Sequence, residues 1–135
     1  MNNTRFATLI HILTLLSKYK GTWLNSDFIA GSIQINPVMV RKELAVLQQE
    51  GWVVSKKGKE GGTMLKKSDE EIKLSDIFML VKNSNVLGKK NVIKDTKCPV
   101  GKQINRKLEA IFDEADNIIL QSLEHKTLKS FADNF

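Results

Sequence analysis

Residues 36–67, NPVMVRKELAVLQQEGWVVSKKGKEGGTMLKK, restrict the fold of this chain more than any other stretch. Asn36-Pro37 is a helix start. The asparagine side chain accepts from the first free amides, and proline at the first helical position has no amide proton to leave unpaired. The spacing predicts a helix over 37–50, ended by Gly51 in a left-handed cap. Val40, Leu44 and Leu47 fall on one side at i, i+4 and i+7, an inward stripe. The other side carries Val38, Lys42, Ala45 and Gln49, flanked by Met39 and Arg41, so it is small or basic near its start. Residues 52–56 and 63–67 then read as two short antiparallel strands. The tip between them, Lys57-Gly58-Lys59-Glu60-Gly61-Gly62, holds three glycines, which accept the positive backbone angles of a tight hairpin.

Upstream, Phe6, Leu9, Ile10, Leu13 and Leu16 follow the three-and-four spacing of a buried helix over 3–18. Asn25 or Ser26 caps a second helix over 27–33, with Phe28, Ile29 and Ile33 as inward residues. Gln34, Ile35 and Asn36 form a turn into the third helix. Two helices, a three-residue turn and a lysine-rich hairpin make a winged helix-turn-helix, which presents its second helix to a DNA groove. Charge agrees with shape. Residues 1–67 hold ten Lys+Arg against four Asp+Glu, whereas residues 68–135 hold eleven of each. The whole formal charge of +6 therefore sits on the half that holds the motif.

Downstream, 74–81 reads as a helix capped by Ser75 with Ile77, Phe78 and Val81 inward. Residues 83–99 form a weakly patterned linker carrying Lys89, Lys90, Lys94 and Lys97. A long helix follows over 100–125, about 38 Å at roughly 1.5 Å per residue. Ile104, Leu108, Ile111, Ala115 and Ile118 recur at 4-3-4-3 spacing, and Phe112, Ile119 and Leu123 widen the stripe. Such a stripe on a long helix calls for a partner surface, and a second copy is the expected one. A short helix over 127–135 packs back on the domain or its partner. The expected class is mainly α with a small β-hairpin. It divides into a winged helix-turn-helix over 1–82, a linker or sensor loop over 83–99, and a dimerisation region over 100–135.

Composition excludes several classes. With 135 residues and 41% apolar residues, the chain can build one folded core. No apolar run approaches the roughly 18 residues of a membrane span. The stretch from Phe6 to Leu16 is interrupted by Thr8, His11 and Thr14, lacks a small-residue cleavage site, and is not read as a signal peptide. One cysteine rules out an internal disulfide framework and fits a reducing cytoplasm. His11 and His125 lack ligand-spaced neighbours, so no metal site is expected. Trp23 and Trp52 are expected to cap the core, and Asp113, Glu114 and Asp116 to form a solvated face. Nothing resembles a nucleophile with its base, a phosphate loop or a dinucleotide fingerprint, so no enzyme is expected.

The chain resembles the Rrf-two family of bacterial winged helix-turn-helix regulators, the family of IscR, NsrR and CymR, and within it the YwnA-like branch. The resemblance covers nearly the full length. Its carriers are Ile29-Ala30, residues 41–53, Gly58 with Gly61-Gly62, Ile72-Lys73-Leu74-Ser75-Asp76-Ile77, and Cys98-Pro99-Val100-Gly101-Lys102. It implies a homodimer that binds a palindromic operator, usually to repress. Cluster-sensing members carry three cysteines before the long helix. Here Cys98 stands alone, so no iron–sulfur cluster is carried over and no cofactor is expected.

The expected DNA contacts are Asn36, Val38, Met39, Arg41 and Lys42, with Lys57 and Lys59 on the wing. Arg41 or Lys42 suits guanine O6 and N7, and Val38 or Met39 suits a thymine methyl. Helix amides near Asn36 suit a phosphate, as do the wing lysines. The plainer readings are a solvated basic face and an edge strand guarded by lysine. The expected dimerisation residues are Ile104, Leu108, Ile111, Phe112, Ala115, Ile118 and Ile119. Cys98 lies at the positive end of the long helix beside Lys97 and Lys102, which favours a thiolate and a redox or electrophile sensor. The alternative is a small, inert residue at a junction. The function expected is a sequence-specific, dimeric DNA-binding regulator, most simply a repressor at an inverted repeat, answering a redox signal or small ligand. Two other classes compete. One is a protein-interaction module acting through the long helix. The other is an RNA-binding regulator, for which exposed stacking aromatics are few.

Overall fold

The computed structural model describes residues 4–135, and among them forms six helices and one two-stranded antiparallel sheet. Helix α1 (Arg5–Lys18) buries Leu9, Ile12, Leu13 and Leu16. Asn3, the expected first residue, lies outside the described residues. Helix α2 (Ser26–Ile33) begins at Asn25, whose Oδ1 accepts from Phe28 N at 2.7 Å. It turns Ile29 and Ala30 into the core. Phe28, expected inside, is exposed, because one residue before Ile29 on so short a helix is about 100° round from the buried face. Its ring instead meets Tyr19 edge-on, with centroids 5.7 Å apart.

Gln34, in the left-handed conformation at φ 64°, closes α2 and swings the chain into α3 (Pro37–Gln49). Asn36 Oδ1 accepts from Val38 N at 2.9 Å, the cap the sequence announces. Val40, Leu44 and Leu47 are buried as expected. The wing follows as β1 (Val53–Lys56) and β2 (Gly62–Leu65), in the register Val53↔Leu65 to Lys56↔Gly62. Trp52, expected in the first strand, is buried just before it, and its carbonyl accepts from Lys66 N and Lys67 N. Gly61 and Gly62 are required by close approach. A Cβ on Gly61 would overlap the Lys56 carbonyl, and one on Gly62 would come within 2.5 Å of the Leu24 carbonyl oxygen. Leu24 is that near because it exchanges both backbone hydrogen bonds with Thr63, stitching the wing to the segment before α2.

Helix α4 (Leu74–Val81) starts one residue before the expected cap. Lys73 N donates to Asp76 Oδ2 at 3.0 Å, and Ser75 is buried inside the first turn. The long helix α5 (Pro99–Glu124) and the short α6 (Leu128–Ala132) complete the chain. The junction between α5 and α6 returns along residues 69–74. Leu74 N donates to Lys126 O, Leu128 N to Ile72 O and Lys129 N to Asp69 O. Leu128 is thereby drawn into the core with Leu9, Ile12 and Ile77.

Helix α5 has two apolar flanks about a quarter-turn apart. One holds Phe112, Asp116, Ile119 and Leu123 and faces the chain's own body. Asp116 is 3% exposed and accepts from Val86 N at 2.8 Å, Asn85 Nδ2 at 2.6 Å and Lys82 Nζ at 2.9 Å. This corrects the expectation that Asp113, Glu114 and Asp116 share a solvated face. Phe112, one turn earlier on the same flank, is buried within its own chain, which removes it from the expected pairing stripe. The loop before α5 lies along it through Lys90 Nζ to Glu109 Oε1 at 3.0 Å and Asn105 Nδ2 to Asn91 O at 2.8 Å.

Candidate nucleic-acid interface

On α3 the inward stripe leaves Val38, Met39, Arg41, Lys42, Ala45 and Gln48 exposed on the opposite face. Val38 and Met39 stand exposed beside two cations, a surface suited to a groove floored by base edges and methyl groups. Asn36 spends its side-chain oxygen on the helix cap, so its contribution to an anion would come through the backbone.

Arg41 is not free. Its Nη1 donates to Ser26 Oγ at 3.3 Å, which steers the guanidinium toward the start of α2. Arg41, Ser26, Ala45, Gln48, Lys56 and Gly61 line one shallow groove between α2, α3 and the wing. Ser26 and Gln48 are polar members of that groove that sequence reasoning passed over. Their signal was positional, one at the N-terminus of α2 and one on the outward face of α3.

Four of the five wing lysines, Lys66 apart, divide into two sets. Lys56 Nζ stands 5.8 Å from the Trp23 ring centroid, and Lys67 Nζ stands 5.8 Å from that of Trp52. Both gain a cation–π contact that fixes the strand edges. Lys57 and Lys59 are exposed at the tip, where Gly58 takes φ 105° and its carbonyl accepts from Gly61 N.

Glu43 is the residue the sequence reading missed. It sits among Val40, Leu44 and Leu47 on the inward face, is 3% exposed, and is held by Arg5 through two hydrogen bonds of 2.8 and 2.9 Å. The outward face of α3 therefore shows no acid until Glu50. An acid at a core-facing position was the available signal that a cation had to come from elsewhere.

Cys98 is the N-cap of α5 and is exposed. The amides of Gly101 and Val100 favour its thiolate and hold the thiol below its ordinary range. Ile104, Ile111 and Ile118 lie exposed in a row on the outer flank of α5, with Leu108 and Ala115 half-buried between them. Ile119 is half-buried on the inner flank. No helix is long and apolar enough to cross a membrane among the described residues.

Comparison with known proteins points one way. The Rrf2 family model, described as an iron-dependent transcriptional regulator, matches residues 2–134. The chain is 34% identical over 129 residues to YwnA of Bacillus subtilis strain 168, which bears the designation HTH-type transcriptional regulator. That match spans 96% of this chain and 95% of YwnA. A crystal structure described as a DNA-binding protein is 32% identical, with TM-score 0.73 over 94% of this chain and 97% of that one. A crystal structure of a transcriptional regulator from Lactobacillus plantarum is 24% identical and shares the fold, with TM-score 0.82 over 97% of this chain and 89% of that one.

Proposed function

This chain belongs to the Rrf2 family of transcriptional regulators, not to an enzyme family, and from that premise we propose that it is a cytoplasmic homodimeric repressor of an inverted-repeat operator. The observation that carries the proposal is the face made by α3 and the wing. Arg41, Lys42, Lys57 and Lys59 stand exposed on it, while Glu43 is turned inward and neutralised by Arg5.

In this mechanism the outer flanks of two α5 helices pair through Ile104, Leu108, Ile111 and Ile118. A two-fold axis then relates the recognition helices. Each enters a major groove, the two about 34 Å or slightly more apart, so the operator repeats with inverted symmetry. Arg41 reads a base edge, with Ser26 fixing its direction. Val38 and Met39 pack on methyl groups, and Lys57 and Lys59 hold phosphates.

The residues do not fit the iron that the family description invokes. Cys98 is the one cysteine of the sequence. Among the described residues no three His, Cys, Asp or Glu side chains gather as a metal site. The buried carboxylates Asp69 and Asp116 are already bound by Lys20 and Lys82. We propose instead that regulation needs no cluster and that Cys98 answers oxidants or electrophiles. Its exposure and its thiolate-favouring amides support that reading.

The test is selection of bound sequences from random duplex DNA with the full chain. An enriched inverted repeat is the expected outcome. Recovery of unpatterned DNA, with affinity collapsing at moderate salt, would reduce the face to a nonspecific basic surface.

A further inference from the structure

A cavity of ≈ 820 Å³ opens between α1 and the C-terminal segment. Phe6, Ile10 and Leu15 form one wall. Phe131 and Phe135, with ring centroids 5.5 Å apart, form the other. Its size lies within the roughly 300–1,000 Å³ of small-molecule pockets, which pair apolar walls with few polar groups. The polar lining residues are His11, Lys18, Tyr19 and Ser32, with Thr14, whose hydroxyl is taken up by the Ile10 carbonyl. No aspartate or glutamate is among the lining residues, and Lys18 is the one lysine or arginine among them.

We propose that this cavity binds an amphipathic monoanion, an apolar chain or ring system ending in one carboxylate, with Lys18 holding the carboxylate. Apolar walls with one cation at the rim match that chemistry and disfavour a cation or a highly charged metabolite. The site also sits where occupancy reaches the DNA face. His11 Nε2 and Ser32 Oγ lie 2.9 Å apart, joining α1 to α2, and Tyr19 meets Phe28 of α2 edge-on. Helix α2 leads into α3 through a three-residue turn, so a ligand that displaces the rim shifts the recognition helix. The cavity is thus an effector site. That last step rests on the proposed DNA-binding function, whereas ligand binding itself does not.

The test is calorimetry of the full chain with dodecanoate, compared with dodecyltrimethylammonium, the same alkyl chain with the opposite charge. One dodecanoate per chain is expected, with the cation at least about tenfold weaker and Lys18→Met about tenfold weaker for dodecanoate. Ala7→Trp, at an exposed position on the wall, should abolish binding without moving the thermal midpoint. Equal binding of both amphiphiles, or an unaffected Lys18→Met, overturns the anion site. Ala7→Trp that splits a dimer shows instead that a second copy covers the cavity. A chain that binds dodecanoate yet selects no DNA sequence keeps the site and loses the functional reading. One that selects an operator but ignores dodecanoate does the reverse. Bound dodecanoate that leaves operator affinity unchanged removes the effector role.

Discussion

Arg5 and Glu43, 38 positions apart, form a two-pronged ion pair that locks α1 to the inner face of α3. Nε and Nη2 each meet one carboxylate oxygen, a planar match that lysine cannot reproduce. Glu43 draws the Arg5 pKa up through this hydrogen bond, against the pull of burial. Arg5→Ala strands a buried carboxylate. It should cost about 2–4 kcal/mol, less than a fully buried pair because the Arg5 side chain is 40% exposed. Arg5→Lys should recover only part of the loss. Urea unfolding midpoints measure both. If Arg5→Ala unfolds like the parent, the pair is ornamental and α3 is held by its apolar stripe.

Base reading and phosphate holding separate by their salt and sequence dependence. Arg41→Ala should cost about 1–3 kcal/mol on the selected operator and little on random DNA. Lys59→Ala should weaken all duplexes alike and lower the salt slope by about one ion. Titrations on both DNAs at several salt concentrations decide between them. Equal losses on both DNAs for Arg41→Ala would assign base reading to another residue of the groove, with Gln48 next in line.

How much the sequence revealed depends on how local each signal was. The Asn36 cap, the glycine tip and the inward Val40, Leu44 and Leu47 lie within a few residues of what they determine, and all appear as read. Glu43 and Asp116 were opaque because their partners lie 38 and about 30 residues away and no local pattern names them. On α5 one wide stripe hid two jobs. The flank of Phe112 and Leu123 serves the chain's own fold, while that of Ile104, Ile111 and Ile118 is left for something else. Periodicity gives the angular width of an apolar face but not the number of surfaces that cover it.

Asp116 should make part of the stability acid-sensitive. The Val86 amide lowers its pKa most, burial opposes, and Lys82 and Asn85 add to the lowering. A carboxyl with a lower pKa in the folded chain stabilises above its unfolded value near about 3.9, and this is lost as pH falls through the folded pKa. Asp69, which burial would raise, is carried below its ordinary range by Lys20 and Ser17 and acts in the same direction. Asp116→Asn should cost about 2–3 kcal/mol at pH 7 and less below pH 4. Unfolding midpoints across this range, with amide exchange at Val86, check it. A pH-independent penalty would mean that the carboxylate's charge contributes nothing.

Cys98 should ionise and react more readily than a free cysteine. Because the amides of Gly101 and Val100 favour the ionised form, alkylation by iodoacetamide should rise with pH along a curve set below that of a free cysteine. The rate profile of the parent, with Cys98→Ser as the blank, measures this directly. A profile superimposable on that of glutathione would leave the residue an ordinary surface thiol.

The outer flank of α5 provides the sharpest test of assembly. Ile111 and Ile118 are 54% and 58% exposed in one chain, so charging them costs the monomer's fold little. Ile111→Glu with Ile118→Glu should place four like charges across a two-fold seam. Sedimentation should then read one chain where the parent reads two, with far-ultraviolet circular dichroism unchanged. Operator affinity should fall by about 100-fold or more, because each half-site then binds without the help of the other. Single half-site DNA should bind both proteins equally, which separates lost pairing from a damaged recognition helix. A dimer that survives both substitutions would move the interface off this flank.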